Sequence, residues 1–210
     1  MDLVFPEEVW QNTRKDIIQE VLAGKEIIIF VSDFILKEDD KKENTFISCV
    51  LNLKNENIFI EGKGQGILDA LFNSILKEVN KSFYSLGNVE LEDFSVRVKF
   101  KESFRWSKMD APVEITLVLK NSSHAKMYFR AQSRSLVRAI ITVTCSSLEY
   151  LVNAELAVIQ LMKDIRLAEK RNRHDLIGKY TAQMAKLVEI ANYENTLKIW
   201  SLNDCDSESI

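Results

Sequence analysis

The densest run of chemistry-bearing residues in this chain is Gly62-Lys63-Gly64-Gln65-Gly66, followed by Asp69. It comes after a β-branched stretch and opens a segment with helical spacing. Glycines let backbone N–H groups approach a ligand, and a helix N-terminus adds positive potential, so such a loop can bind a small anion. Its spacing is not the Gly-x-Gly-x-x-Gly of a dinucleotide turn. Asp69 falls in the first helical turn and has two readings. It can complement the helix dipole, or it can face the ammonium group of an amino acid whose α-carboxylate sits on the loop. A second candidate is the basic cluster Arg130, Arg134 and Arg138, the last two one helical turn apart. It reads either as a solvated face or as a carboxylate or phosphate site, because Arg binds such groups bidentately.

Other chemistries find little support. The only histidines, His124 and His174, are fifty residues apart in polar context and read as solvent-facing rather than as metal ligands. There is no serine nucleophile elbow and no phosphate loop. Trp10, Trp106 and Trp200 are too far apart to form a stacking stripe. Cys49 and Cys145 sit in apolar runs and read as buried reduced thiols; with Cys205 they make an odd count that suits the cytosol. A net charge of −3 with 28% charged residues gives no basic face for nucleic acid. No apolar run is long enough to span a bilayer, and Met1 is followed by Asp2 and a Glu-rich turn rather than a signal peptide. The expectation is a cytoplasmic chain with no cofactor, no metal, no membrane and no nucleic-acid partner.

The elements that must position these groups follow from periodicity. The 210 residues, 46% hydrophobic, suffice for one well-buried domain plus an appendage or for two very small domains. Residues 6 to 22 read as a helix, with Pro6 in its first turn, Glu7 and Glu8 at its positive end and Gly24 to stop it. Glu26 to Leu36 and Phe46 to Leu53 read as strands around a charged loop, Lys37 to Asn44. Lys54 to Asn57 reads as a hairpin turn, from which Ile58 to Glu61 pairs back. Ile67, Leu68, Leu71, Phe72, Ile75, Leu76 and Val79 then recur at helical spacing. The pattern repeats: strands over Val89 to Phe100, Val113 to Leu119 and Met127 to Arg130, then a helix from about Ser135. Leu53-Lys54-Asn55 matches Leu119-Lys120-Asn121 at an offset of 66, and Ala70 matches Ala139 at 69. Two tandem β-β-β-α units must share a core, since neither can bury its apolar face alone. The second helix is read as running on to about Arg173. A further helix spans about Asp175 to Asn192, and a loose acidic tail Asn203 to Ile210.

The glycine-rich string GKGQGILDALFNSI, Gly62 to Ile75, is similar to the element that opens the first helix of the regulatory, dimerisation domain of 2-isopropylmalate synthases. That family's usual Gly-Asn-Gly-Pro-Val-Asp-Ala falls on Gly64, Gln65, Gly66, Ile67, Leu68, Asp69 and Ala70. Leu91-Glu92-Asp93-Phe94-Ser95-Val96 resembles the family's Leu-Glu-Asp-Tyr-Ser-Val strand, and Pro6 to Trp10 resembles the helix that links barrel to regulatory domain. The resemblance covers about residues 5 to 155. Citramalate synthases carry the same domain and sense isoleucine with it. This chain departs from the pattern at Gln65 and Ile67, and at Ala131 and Ser135, where the second repeat of the family favours Gly and Asp.

The resemblance implies an α+β fold of two tandem β-β-β-α units, with a linker-like helix over residues 1–24 and the duplicated regulatory domain over 25–155; the helical extension with an acidic tail over 156–210 has no counterpart in it and rests on periodicity and composition alone. The resemblance also implies an effector site for leucine or isoleucine at Gly64, Gly66, Leu68 and Asp69. Leu91, Phe94, Val98, Ala111 and Val113 would line the ligand side chain, with Gln132 near the second helix entrance. For any one of those apolar residues, ordinary core is the better reading. The resemblance implies a homodimer. The metal-dependent barrel of the family, with its His-x-His and Arg-Asp-Gly stretches, has no counterpart here, so acyl transfer is not expected of this chain alone and a synthase partner would be a separate chain. The alternative is a scaffolding protein that kept the fold and lost the ligand.

Overall fold

The computed structural model describes residues 6–39, 41–98, 111–121 and 125–188. The expectations for His124, Trp106, Trp200 and the acidic tail lie outside them, as does the end of the last helix beyond residue 188. The fold is α+β. In chain order the elements are α1 (Pro6–Leu22), β1 (Ile29–Asp39), β2 (Asn44–Leu53), β3 (Glu56–Gly64), α2 (Ile67–Val79), β4 (Glu90–Val98), β5 (Val113–Lys120), β6 (Lys126–Ser133), α3 (Leu136–Lys170) and α4 (His174–Val188). A short 3₁₀ turn, Tyr84–Asn88, links α2 to β4. The strands form two antiparallel sheets, ordered β1-β2-β3 and β4-β5-β6.

Each sheet buries one face. In β2 the pattern alternates, with Thr45, Ile47, Cys49, Leu51 and Leu53 inward. In β5, Ile115, Leu117 and Leu119 are fully buried. α2 lays Ala70, Leu71, Phe72, Ile75 and Val79 on the first sheet. α3 covers the second sheet with Ala139, Ile140, Val143 and their neighbours, and these residues join one contiguous core with those of the first unit. The offset of 69 holds residue for residue over β3 and β6: Ile60 and Phe129, the matching pair, are both buried.

The β2–β3 connection is a two-residue turn. Lys54 and Asn55 both take positive φ, 54° and 65°, the combination whose twist matches that of a hairpin. The Lys54 ammonium stands 4.7 Å from the centre of the Phe83 ring, a cation–π contact made from a position whose backbone usually favours Asn or Gly. Two element boundaries differ from the sequence expectation. β1 continues to Asp39, shrinking the expected 37–44 loop to a tight turn, because β2 extends to Asn44 and the two strands pair to their ends. Gly62 and Gly64 belong to β3, paired with Ile47 and Thr45, so only Gln65 and Gly66 break the chain before α2.

α3 runs unbroken across residue 155, where the sequence reading placed a domain boundary. Its middle lies against the outer edge of β1. The Ile27 N–H donates to Asn153 Oδ1 at 2.8 Å, and Asn153 Nδ2 donates to the Ile27 carbonyl at 2.9 Å. The Ile29 N–H donates to Glu149 Oε2 at 2.9 Å, and the Val31 amide reaches the Cys145 sulfur. The spacing explains the fit. Four helical residues rise about 6.0 Å and two strand residues about 6.6 Å, so positions 145, 149 and 153 stay in step with 31, 29 and 27. Asn153, buried, thus acts as a substitute strand residue. On the far side of the molecule the Tyr128 N–H of β6 donates to buried Gln11 of α1 at 3.1 Å. α4 returns along α3 and α1, tied by Lys179 to Glu20 at 2.7 Å and by Arg14 Nε to the Lys186 carbonyl at 2.9 Å.

Candidate functional site

The loop into α2 is positioned by sheet geometry. In a three-stranded meander the end of β1, the start of β2 and the end of β3 share one end of the sheet, so the β1–β2 turn stands beside the start of α2. The glycines let helix and strand touch. A Cβ on Gly62 would overlap the Ala70 carbonyl oxygen, and one on Gly64 would lie 2.5 Å from both the Ala70 nitrogen and the Asp69 carboxylate. The second unit has room for the Ala131 methyl at the position matching Gly62. Gly66 is different: its backbone is extended and a Cβ there meets nothing within 4 Å.

Asp69 has two local partners. Its Oδ2 accepts the Gln65 N–H at 3.0 Å and its Oδ1 accepts the side-chain amide of Asn73. Asp69 braces the turn and complements the helix end. In the second unit Ser135 does comparable work, its Oγ accepting the Arg138 N–H at 3.4 Å.

Beside this loop lies a cleft of about 300 Å³ lined by Glu38, Asp39, Glu43, Asn44, Thr45, Gln65 and Gly66. Thr45 is buried at 4% exposure, and its strand partners are Glu38 and Gly64. Asp39 accepts the Lys41 N–H at 3.1 Å and is thereby tied to its own turn. The first intrahelical bond of α2 runs from the Ala70 N–H to the Gly66 carbonyl, so the N–H groups of Ile67, Leu68 and Asp69 precede the helical ladder. The cleft is therefore bordered by the entry to α2, Gln65 and Gly66, and by three acidic residues of the β1–β2 turn, Glu38, Asp39 and Glu43. Leu36 and Ile67, both half-buried, come shortly before and just after these residues along β1 and α2.

The residues expected to line a ligand side chain are not gathered in this cleft. Of the expected set only Gly66 lines it; Gly64, Leu68 and Asp69 belong to the same turn. Leu91 pairs with Leu119 at one end of β4, while Val98 pairs with Val113 at the other, seven residues or about 23 Å along the strand. Phe94, half-buried, lies between them, and Ala111 is half-buried just before β5. Gln132 pairs with Glu114 and so points to the face opposite Val98 and Val113. The basic cluster is also split. Arg130 stands on the outer face of β6 opposite Thr116, whereas Arg138 rises from α3, which covers the inner face; all three arginines are exposed.

Reading the sequence missed Glu38, Glu43 and Thr45, because the run from Lys37 to Asn44 looks like a solvated loop. The signal was present in the meander itself, which fixes where the β1–β2 turn must lie. Among the described residues no three His, Cys, Asp or Glu side chains converge as for a metal ion, and no helix is long and apolar enough to cross a membrane. Burial raises the Cys49 thiol to about 11 and the Cys145 thiol to about 12, so neither is a nucleophile at neutral pH. No family model matches the chain, and no curated protein matches it.

Proposed function

We propose that this chain is an effector-binding regulatory module of the kind found in 2-isopropylmalate synthases: a cytoplasmic homodimer that takes a free aliphatic amino acid, leucine or isoleucine, and reports it to a synthase catalytic unit in branched-chain amino-acid synthesis. The observation that supports the reading is one small cleft bordered both by the entry to α2 and by Glu38 and Glu43. An α-carboxylate on the first-turn N–H groups of α2 and an α-ammonium between Glu38 and Glu43 are the two ends of one zwitterion. The volume stands at the small end of ligand pockets, ~300–1,000 Å³. Regulation is then linkage. Ligand that bridges the β1–β2 turn and α2 favours whichever arrangement of the dimer holds those elements together, and a partner reads that arrangement.

One observation favours the scaffolding alternative: the expected apolar lining, Leu91 to Val113, is dispersed along β4 and β5 instead of facing the cleft. Calorimetric titration with leucine, isoleucine and valine separates the two. Gly66→Asp is the control of choice, because its side chain has open space and adds a carboxylate where the ligand's own would sit. Binding of one amino acid that Gly66→Asp abolishes, and that Glu38→Gln with Glu43→Gln weakens, supports the sensor. No heat with any of the three at millimolar ligand sinks it.

A further inference from the structure

The sheet edges are treated unequally. The outer edge of β1 is held by α3 and that of β6 by α1. β4 has no such cover among the described residues, although it is the counterpart of β1. The reason is helix length. The β1 edge is read by Cys145, Glu149 and Asn153, and at the offset of 69 the first two match Leu76 and Asn80, where α2 ends. α2 is too short to repeat the device. On its inner face Leu91, Val96 and Val98 of β4 are 39%, 47% and 44% exposed, whereas in β3, the other edge without cover among the described residues, Ile60 is buried. An uncovered edge with an apolar face is a template for a further strand.

We propose that the edge of β4 pairs antiparallel with β4 of a second copy, joining two three-stranded sheets into one of six. The strand is self-complementary in a single register. With Ser95 on the two-fold axis, Arg97 lies opposite the partner's Asp93 on the outer face, and Val96 lies opposite the partner's Phe94 on the inner face. The ion pair and the apolar pair each form twice. The face assignments follow from the pairing of Asp93 and Arg97 with Val118 and Glu114, and of Phe94 and Val96 with core residues Leu117 and Ile115. The irregularity between Leu91 and Asp93 ends the regular edge, so pairing is confined to the C-terminal part of β4. The Phe94 amide meanwhile takes the Asp93 carboxylate as acceptor at 2.8 Å. This inference shares the homodimer of the proposed function and is independent of its ligand.

Sedimentation velocity on the full chain across a concentration series tests it. The wild type associates to a dimer. Arg97→Asp sets carboxylate against carboxylate and weakens association about tenfold, and Asp93→Arg combined with Arg97→Asp restores it. Cross-linking supplies a readout independent of those charges. In a Cys205→Ser background, Ser95→Cys gives a disulfide-linked dimer under mild oxidation, because the dyad brings the two positions face to face. Thr116→Cys, its neighbour on central strand β5, does not. Cys49 and Cys145 are buried and do not compete. A monomeric wild type overturns both the homodimer and this interface. A dimer indifferent to Arg97→Asp, or cross-linked equally from position 116, overturns the interface alone.

Discussion

Asp69 shows how one carboxylate can be read correctly by type and still be ambiguous by role. Its place in a first helical turn was legible from the sequence. That its carboxylate takes Gln65 and Asn73 as partners was not, since the dipole and ligand readings need the same residue at the same position. The structure makes its removal a stability test. Asp69→Ala leaves the Gln65 amide without its acceptor and should cost about 1 kcal/mol, measured as a lower midpoint in urea at unchanged slope. An amino-acid affinity that falls by far more than the lost stability explains would return Asp69 to the ligand. Gly62 and Gly64 were legible as special, and the structure adds the close approach of helix to strand as a reason; of the three loop glycines Gly66 alone borders open space.

At the level of elements, the α1, α2 and α3 starts and all six strands stand close to where periodicity, Pro6, Gly24 and the repeated turns put them. What could not be read was cross-talk between repeats. Positions 145, 149 and 153 look like any stripe of a long amphipathic helix, and nothing local says that they match the amides of residues 31, 29 and 27. The glutamate and asparagine in that stripe would ordinarily mark a solvated face, yet Asn153 is buried because it completes a strand edge. Asn153→Ala strands both the N–H and the carbonyl of Ile27, at a cost of about 1–3 kcal/mol. Chemical denaturation measures it, and Asn153→Leu, which keeps bulk but not hydrogen bonds, should be no better. A loss below about 0.5 kcal/mol would mean that water replaces the side chain there.

For the molecule as a whole, the duplication was legible from the offsets, and so was the need for a shared core. The unequal fate of the two first strands was not, because it depends on where each helix stops against the other unit. Amide exchange shows the difference directly. The β1 amides of Ile29 and Val31 should exchange slowly at every protein concentration, while protection of Phe94 and Val96 in β4 should rise as concentration rises; protection of β4 that ignores concentration would speak against pairing between copies. α3 also has a mechanical consequence. It is about 52 Å long, roots in the second sheet, clasps the first at its middle and carries α4 at its far end. Such a rod is a lever with its fulcrum at β1. A tilt of about 5° around that fulcrum swings each end by about 2 Å, so a shift of side-chain size where α3 covers the second sheet is repeated, in the opposite sense, at the end that carries α4.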